Sequence, residues 1–215
     1  REAGFFRKAA EAYLKSGDRV KLAQCLEEAF QYTSQREKIV QANRGGEKAA
    51  AGAPEPPPLS RNLKNLSLLG GRAWLEAGNP EEAAAFFERG GHLSESAPPY
   101  REAGTLGRAA DLFFQAGMPI ESAEILEKMG DEKRSALLKA RAFQAQGKLE
   151  ESCSYHRKAG DLFSAAQICR QLGQLPEAAL LFEQSEMFLE AANLYQEIGY
   201  PEKAAENFER AGKLR

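Results

Sequence analysis

Valine, isoleucine and threonine are nearly missing from this chain of 215 residues, which holds two Val, five Ile and two Thr. β-Branched side chains fit the pleated surface of a sheet, so a chain this poor in them cannot fill a sheet core. Sandwiches, barrels and doubly wound α/β folds are excluded on that ground, and with them nucleotide sites set on parallel strands. Histidine is almost absent too, at two residues, and cysteine is limited to Cys25, Cys153 and Cys169. Three cysteines without close spacing suit neither a disulfide framework nor a zinc site, and read as buried thiols in a reducing compartment. No apolar run approaches a membrane span, and no secretory signal opens the chain, so a cytoplasmic location without membrane insertion is expected. The sequon Asn65-Leu66-Ser67 carries little weight without a secretion signal. A net charge of −2 gives no global attraction to nucleic acid or to an anionic membrane. The first residue is Arg1, not Met, which reads as a piece of a longer protein.

What the chain has instead is alanine, 36 residues of it, the best helix former. An all-α fold follows. Glycines recur at 78, 91, 104, 117 and 130, then, after one longer step, at 147, 160 and 173. Glu186 takes the next node, and Gly199 and Gly212 follow; Gly4 and Gly17 show the same spacing. In a unit of 13 residues ending on the glycine, positions 5 and 6 are small, as in Ala83-Ala84, Ala165-Ala166 and Ala178-Ala179. Position 9 is usually large, as in Trp74, Phe87, Phe113, Phe182 and Tyr195, and position 12 is often small or apolar. Positions 5, 9 and 12 lie on one helix face. Glycine at position 13 suits a left-handed residue that stops a helix. Asp18, Asn79, Thr105, Asp131 and Asp161 stand where an N-cap belongs, with Asn79 and Glu82 as a candidate capping box. Pro80, Pro119, Pro176 and Pro201 fit the first turn. Each unit is thus predicted to be one helix of about ten residues, too short to stand alone and therefore stacked on its neighbours.

The stretch Gly71–Trp74–Gly78–Ala83–Phe87 resembles the tetratricopeptide motif, with Gly71 and Trp74 as its first-helix positions, Gly78 as its turn, and Ala83 and Phe87 as its second-helix positions. Gly199–Ala204–Phe208–Ala211 resembles the second half of that motif. The spacing departs from the family, 26 residues per helix pair against 34, and the family's closing proline is missing. The resemblance implies a right-handed α-solenoid of short antiparallel helix pairs, a scaffold that holds protein or peptide partners and no cofactor.

The regularity fails in four places. From Asp18 the pattern runs on as one long, projecting helix, making residues 1–42 a helical hairpin. Residues 43–60 form a Pro/Gly/Ala-rich insertion read as a flexible, solvated linker, whose Pro56-Pro57-Pro58 also favours polyproline II. Residues 61–215 carry the main solenoid of about eleven short helices. Pro98-Pro99 should make its helix start late or kink. The unit 131–147 carries one extra turn, whose tip should protrude.

No catalytic set appears, and a non-enzymatic role is expected: no Walker loop, no G-x-S-x-G, no H-E-x-x-H. His156 falls at position 9, a packing position, whereas His92 at a unit start either caps or lies exposed. Paired glutamates such as Glu81-Glu82 and Glu150-Glu151 sit near helix N-termini, where they answer the dipole. The one charged strip of note is Lys133, Arg134, Lys139, Arg141, Arg157 and Lys158, a candidate surface for an acidic peptide. The functional expectation is a protein-interaction scaffold. The alternatives are a spacer arm that positions flanking domains and, more remotely, a nucleic-acid-binding repeat.

Overall fold

The computed structural model describes residues 2–45 and 59–213. All regular structure among them is helical. The chain divides into two compact units, 1–116 and 117–215.

The first unit holds α1 (Glu2–Ser16), α2 (Arg19–Gly45), α3 (Arg61–Glu76), α4 (Pro80–Arg89), α5 (Leu93–Glu102) and α6 (Leu106–Gln115). The second holds α7 (Pro119–Lys128), α8 (Glu132–Ala145), α9 (Leu149–Lys158), α10 (Leu162–Gln171), α11 (Leu175–Gln184), α12 (Phe188–Glu197) and α13 (Pro201–Lys213). Within each unit every helix packs against its neighbours in chain order. Eight helices, α4–α7 and α9–α12, are ten residues long, and three-residue turns fill out the 13-residue period.

The turns explain the glycines. At Gly78 the N–H of Asn79 donates to the Trp74 carbonyl and that of Gly78 to Leu75. This is the Schellman pattern, which satisfies carbonyls left over at the helix end. The same pair of bonds recurs at Gly104, Gly130, Gly160, Gly173 and Gly199. It also forms at Glu186, whose φ of 62° makes it the one non-glycine in the left-handed region among the described residues. Gly4 and Gly212 depart from the expectation, since both lie inside helices, α1 and α13.

Burial follows the small-and-large code and extends it. Ala83, Ala84, Ala165, Ala166, Ala178, Ala179, Ala191 and Ala192 are fully buried, and Phe87, Phe113, Phe182 and Tyr195 nearly so. In place of the alanine pair, α3 carries Gly70-Gly71, because Phe86 and Phe87 of α4 cross there. A Cβ on Gly70 would lie 2.0 Å from Phe86 Cε1, and one on Gly71 2.4 Å from Phe87 Cε1. Position 8, which the periodicity did not single out, is as deeply buried: Phe86, Leu112, Ile125 and Ile168 are each at most 2% exposed. Position 12 is less buried than expected, with Met129 49% exposed. A helix flanked on both sides must bury more than one stripe, and the second stripe runs through position 8.

Other local expectations divide. Asp18, Asp131 and Asp161 accept from the backbone N–H groups of Lys21, Arg134 and Ser164. Asn79 and Thr105 make no side-chain cap bond, so no capping box forms at Asn79. α5 does not start late: it runs from Leu93 with Pro98 and Pro99 inside it. The two missing N–H groups orphan the carbonyls of Ser94 and Glu95, and both residues are exposed, so water can replace the lost bonds. α8 has the expected extra turn, 14 residues. α2 is long, 27 residues, and only its far part stands clear. Leu22, Ala23 and Phe30 join a core with Leu63, Trp74, Phe86 and Phe87, whereas 38–40 are exposed. Ser60 caps α3 by accepting from Leu63 N–H, while its hydroxyl donates to Glu37 of α2 at 2.6 Å. The polyproline segment lies outside the described residues.

Candidate functional site

The basic strip expected at 133–158 is largely answered inside the second unit. Arg134 pairs with Asp131 at 3.4 Å on its own helix start. Lys139 is packed, its side chain 15% exposed, with Nζ 2.6 Å from Glu127 and 5.8 Å over the Tyr155 ring. Lys158 approaches the same Glu127 at 3.8 Å, and Arg157 pairs with Glu177. The hydrogen bond from Lys139 and its charge hold the Glu127 carboxyl below the usual range. Lys133 and Arg141 are exposed and hold no ion pair among the described residues. The strip is therefore two free cations beside a satisfied network.

The histidines are structural. His156 is 3% exposed, and its Nδ1 lies 3.0 Å from Asp161 Oδ2. Burial pushes the Asp161 carboxyl up, but the bonds from Ser164 and the neighbouring His156 outweigh it and leave it below the ordinary value. The Nε2 of His156 is buried without a partner among the described residues. His92 neither caps nor hangs free; its Nε2 lies 2.8 Å from the Lys64 carbonyl. Among the described residues no cluster of three metal-ligating side chains occurs, and no helix is long and apolar enough to cross a membrane.

A trough of about 880 Å³ lies in the first unit, framed by α1, α2 and α3. Its construction follows from helical spacing. Leu22, Leu26, Ala29 and Thr33 of α2 fall at i, i+4, i+7 and i+11 and supply the floor. Phe6, Ala10 and Leu14 of α1 form one wall, and Leu66, Leu69 and Ala73 of α3 form the other. Both walls lean on α2, which leaves the space above its first turns open. Leu14 and Leu69 are 56% and 53% exposed there, a large apolar surface to leave in water.

The rim is polar and mostly cationic. Arg7, Arg19, Arg36 and Arg72 line it together with Glu11, Glu76, Asn62 and Asn65. Arg7 pairs with Glu11 at 3.0 Å and Arg19 with Glu76 at 2.9 Å. Arg36 and Arg72 hold no ion pair among the described residues. An apolar floor edged by guanidinium groups is equipped to hold an apolar surface flanked by carboxylates. Nothing in the repeat announced this trough. Its signal was the spacing Asn62–Asn65–Leu66–Leu69–Arg72–Ala73–Glu76, a second face on α3 beside the buried one.

No protein-family profile and no curated protein sequence matches the chain. Among solved structures it is similar to a tetratricopeptide repeat protein from Parabacteroides merdae, with 15% identity over 98% of this chain and 92% of the other and a TM-score of 0.32. It is likewise similar to a protein from Podosopora anserina described as having nearly identical TPR-like repeats, with 18% identity over 97% and 92% and a TM-score of 0.30. Superpositions this loose leave the description of the fold to the chain itself. Each unit is a run of helices packed against one another in chain order, with the same turn recurring between them.

Proposed function

We propose that this chain is a protein-interaction scaffold whose first unit receives an amphipathic helix with acidic flanks in the α1–α2–α3 trough. The observation that carries the reading is the combination of exposed Leu14 and Leu69 with Arg36 and Arg72, which hold no ion pair among the described residues, around one apolar floor. The lining of α3 spans Asn62 to Glu76, about 21 Å at 1.5 Å per residue, which matches about four turns of a partner helix. Such a helix anchors through residues at i, i+4, i+7 and i+11, the same spacing that the floor of α2 presents. The chain would then work by holding a partner, with chemistry supplied elsewhere. The strip at Lys133 to Lys158 is a weaker candidate, since its neighbours already neutralise most of it.

The test uses three fluorescein-labelled peptides of 18 residues. One has a Leu stripe at helical spacing with Glu flanks, one the same stripe with Lys flanks, and one the Glu composition with the stripe scrambled. The full chain should bind the first at least tenfold tighter than the others at low salt, and the preference should shrink as salt screens the rim. Leu69→Asp should remove that binding, and Arg36→Glu with Arg72→Glu should invert the charge preference. Equal binding of all three peptides, or indifference to Leu69→Asp, would refute the reading.

A further inference from the structure

The first unit's trough leaves unexplained a feature of the second unit, where two cysteines distant in sequence meet. Cys153 of α9 and Cys169 of α10 lie 3.0 Å apart, sulfur to sulfur, and are 7% and 0% exposed. They stand at positions 6 and 9 of successive units, the same 16-residue step that sets Gly71 against Phe87. Elsewhere the sequence places a small residue and a bulky one on that step, as in Ala97 and Phe113, Ala166 and Phe182, or Ala179 and Tyr195. Only here does it place two thiols.

The two sulfurs are not equivalent. The Cys153 thiol donates to the Ala165 carbonyl at 3.6 Å, which leaves its sulfur to accept from the Cys169 thiol. Cys153 also lines a surface cleft of about 410 Å³ between α9 and the start of α11, with Arg157, Gln174 and Glu177 around it. Cys169 lies behind it, with no route of its own. Burial, and next the hydrogen bond with Cys153, push the Cys169 thiol up to about 12, so it stays protonated.

We propose that Cys153 and Cys169 form a peroxide-reactive pair, Cys153 attacking through the cleft and Cys169 resolving it to a disulfide that staples α9 to α10. The Cys153 sulfur, deprotonated, attacks one oxygen of hydrogen peroxide. The O–O bond breaks, the other oxygen leaves as water, and Cys153 becomes a sulfenic acid. The Cys169 sulfur then attacks the Cys153 sulfur, the S–O bond breaks, and hydroxide leaves as water with the Cys169 proton. Two thiols and one peroxide give one disulfide and two waters, with two electrons passing from sulfur to oxygen. The two sulfurs, 3.0 Å apart, have about 1 Å left to close to the bonded distance of about 2.05 Å.

The experiment uses the full chain with Cys25→Ser, so that both remaining thiols belong to the pair. Treatment with one equivalent of hydrogen peroxide should remove both thiols, lower the mass by about 2 Da without a dimer, and raise the unfolding temperature of the second unit reversibly with reductant. Cys169→Ser should stop at a sulfenic acid that dimedone captures on Cys153. Cys153→Ser should slow oxidation at least tenfold. Cys153→Ala, which restores the small residue the repeat uses at that position, and Cys169→Ala repeat the comparison if serine perturbs folding. Persistent thiols, a mass gain of about 32 Da in place of the loss, or equal oxidation of the Cys153 variants would overturn the proposal.

Discussion

Gly70→Ala offers the sharpest test of how the repeat packs, because two opposing effects of known size meet at one atom. Alanine in a helix interior is favoured over glycine by about 1 kcal/mol, so propensity alone predicts a more stable protein. The new Cβ, however, would lie 2.0 Å from Phe86 Cε1 and 2.6 Å from Cδ1. Phe86 cannot retreat: it is fully buried, packs edge-on against Phe30 at 5.3 Å between ring centroids, and lies under the Arg89 guanidinium. Overpacking of this kind costs about 1–3 kcal/mol, so Gly70→Ala should destabilise the first unit by up to about 2 kcal/mol net. Phe86→Leu removes the obstacle. In that background Gly70→Ala should stabilise by about 1 kcal/mol, and the cycle should show a coupling of about 1–3 kcal/mol. Urea unfolding followed by the fluorescence of Trp74, the sole tryptophan and a near neighbour on α3, reads the first unit directly. If Gly70→Ala raised stability with Phe86 in place, the close crossing of α3 and α4 would be wrong.

Other substitutions test the turns and the second stripe. Glu186→Gly should raise the stability of the second unit by about 1 kcal/mol, since a non-glycine residue at φ 62° carries left-handed strain, while Gly160→Ala should lower it by about as much; thermal unfolding read by circular dichroism compares them. Asn207→Leu should stabilise by about 1–2 kcal/mol, because Asn207 is 1% exposed with Oδ1 unsatisfied at a position that is apolar in most units. Asp161→Ala should cost about 1 kcal/mol at neutral pH through the lost cap. The Asp161 carboxyl is depressed in the folded chain, so its contribution is present above the free Asp value of about 3.9 and is lost as pH falls through the lower folded value. The gap between Asp161→Ala and the parent should therefore narrow in acid, and a gap that widened would contradict the assignment.

The helices and turns were legible in the sequence because they repeat. A 13-residue period marked Gly78 and Gly130 as helix stops, and even Glu186 kept the glycine's conformation at its node. Position 8 escaped notice because its residues vary, from Phe86 to Ile168 to Asn207, and only burial unites them. The late start expected at the double proline did not follow, because the cost of a lost N–H depends on what replaces it. At Ser94 and Glu95 solvent can do so. The ion pairs within the charged strip were not legible for a related reason: pairs such as Arg157 with Glu177 join residues 20 apart, across helices, and residue counting does not place them. The trough depends on α1 and α3, which an insertion separates in sequence, and so has no period at all. The Cys153–Cys169 meeting was in principle readable, since the step from position 6 to the next position 9 fixes contact partners once one such contact is known.

The central claim is that the first unit's trough, not the basic strip of the second, holds a partner. Hydrogen exchange on the full chain with and without the Glu-flanked helical peptide measures this directly. The account predicts added protection confined to α1, the first half of α2, and α3, and its loss in Leu69→Asp. Protection at residues 133–158, or none at a peptide concentration that saturates the anisotropy signal, would contradict it.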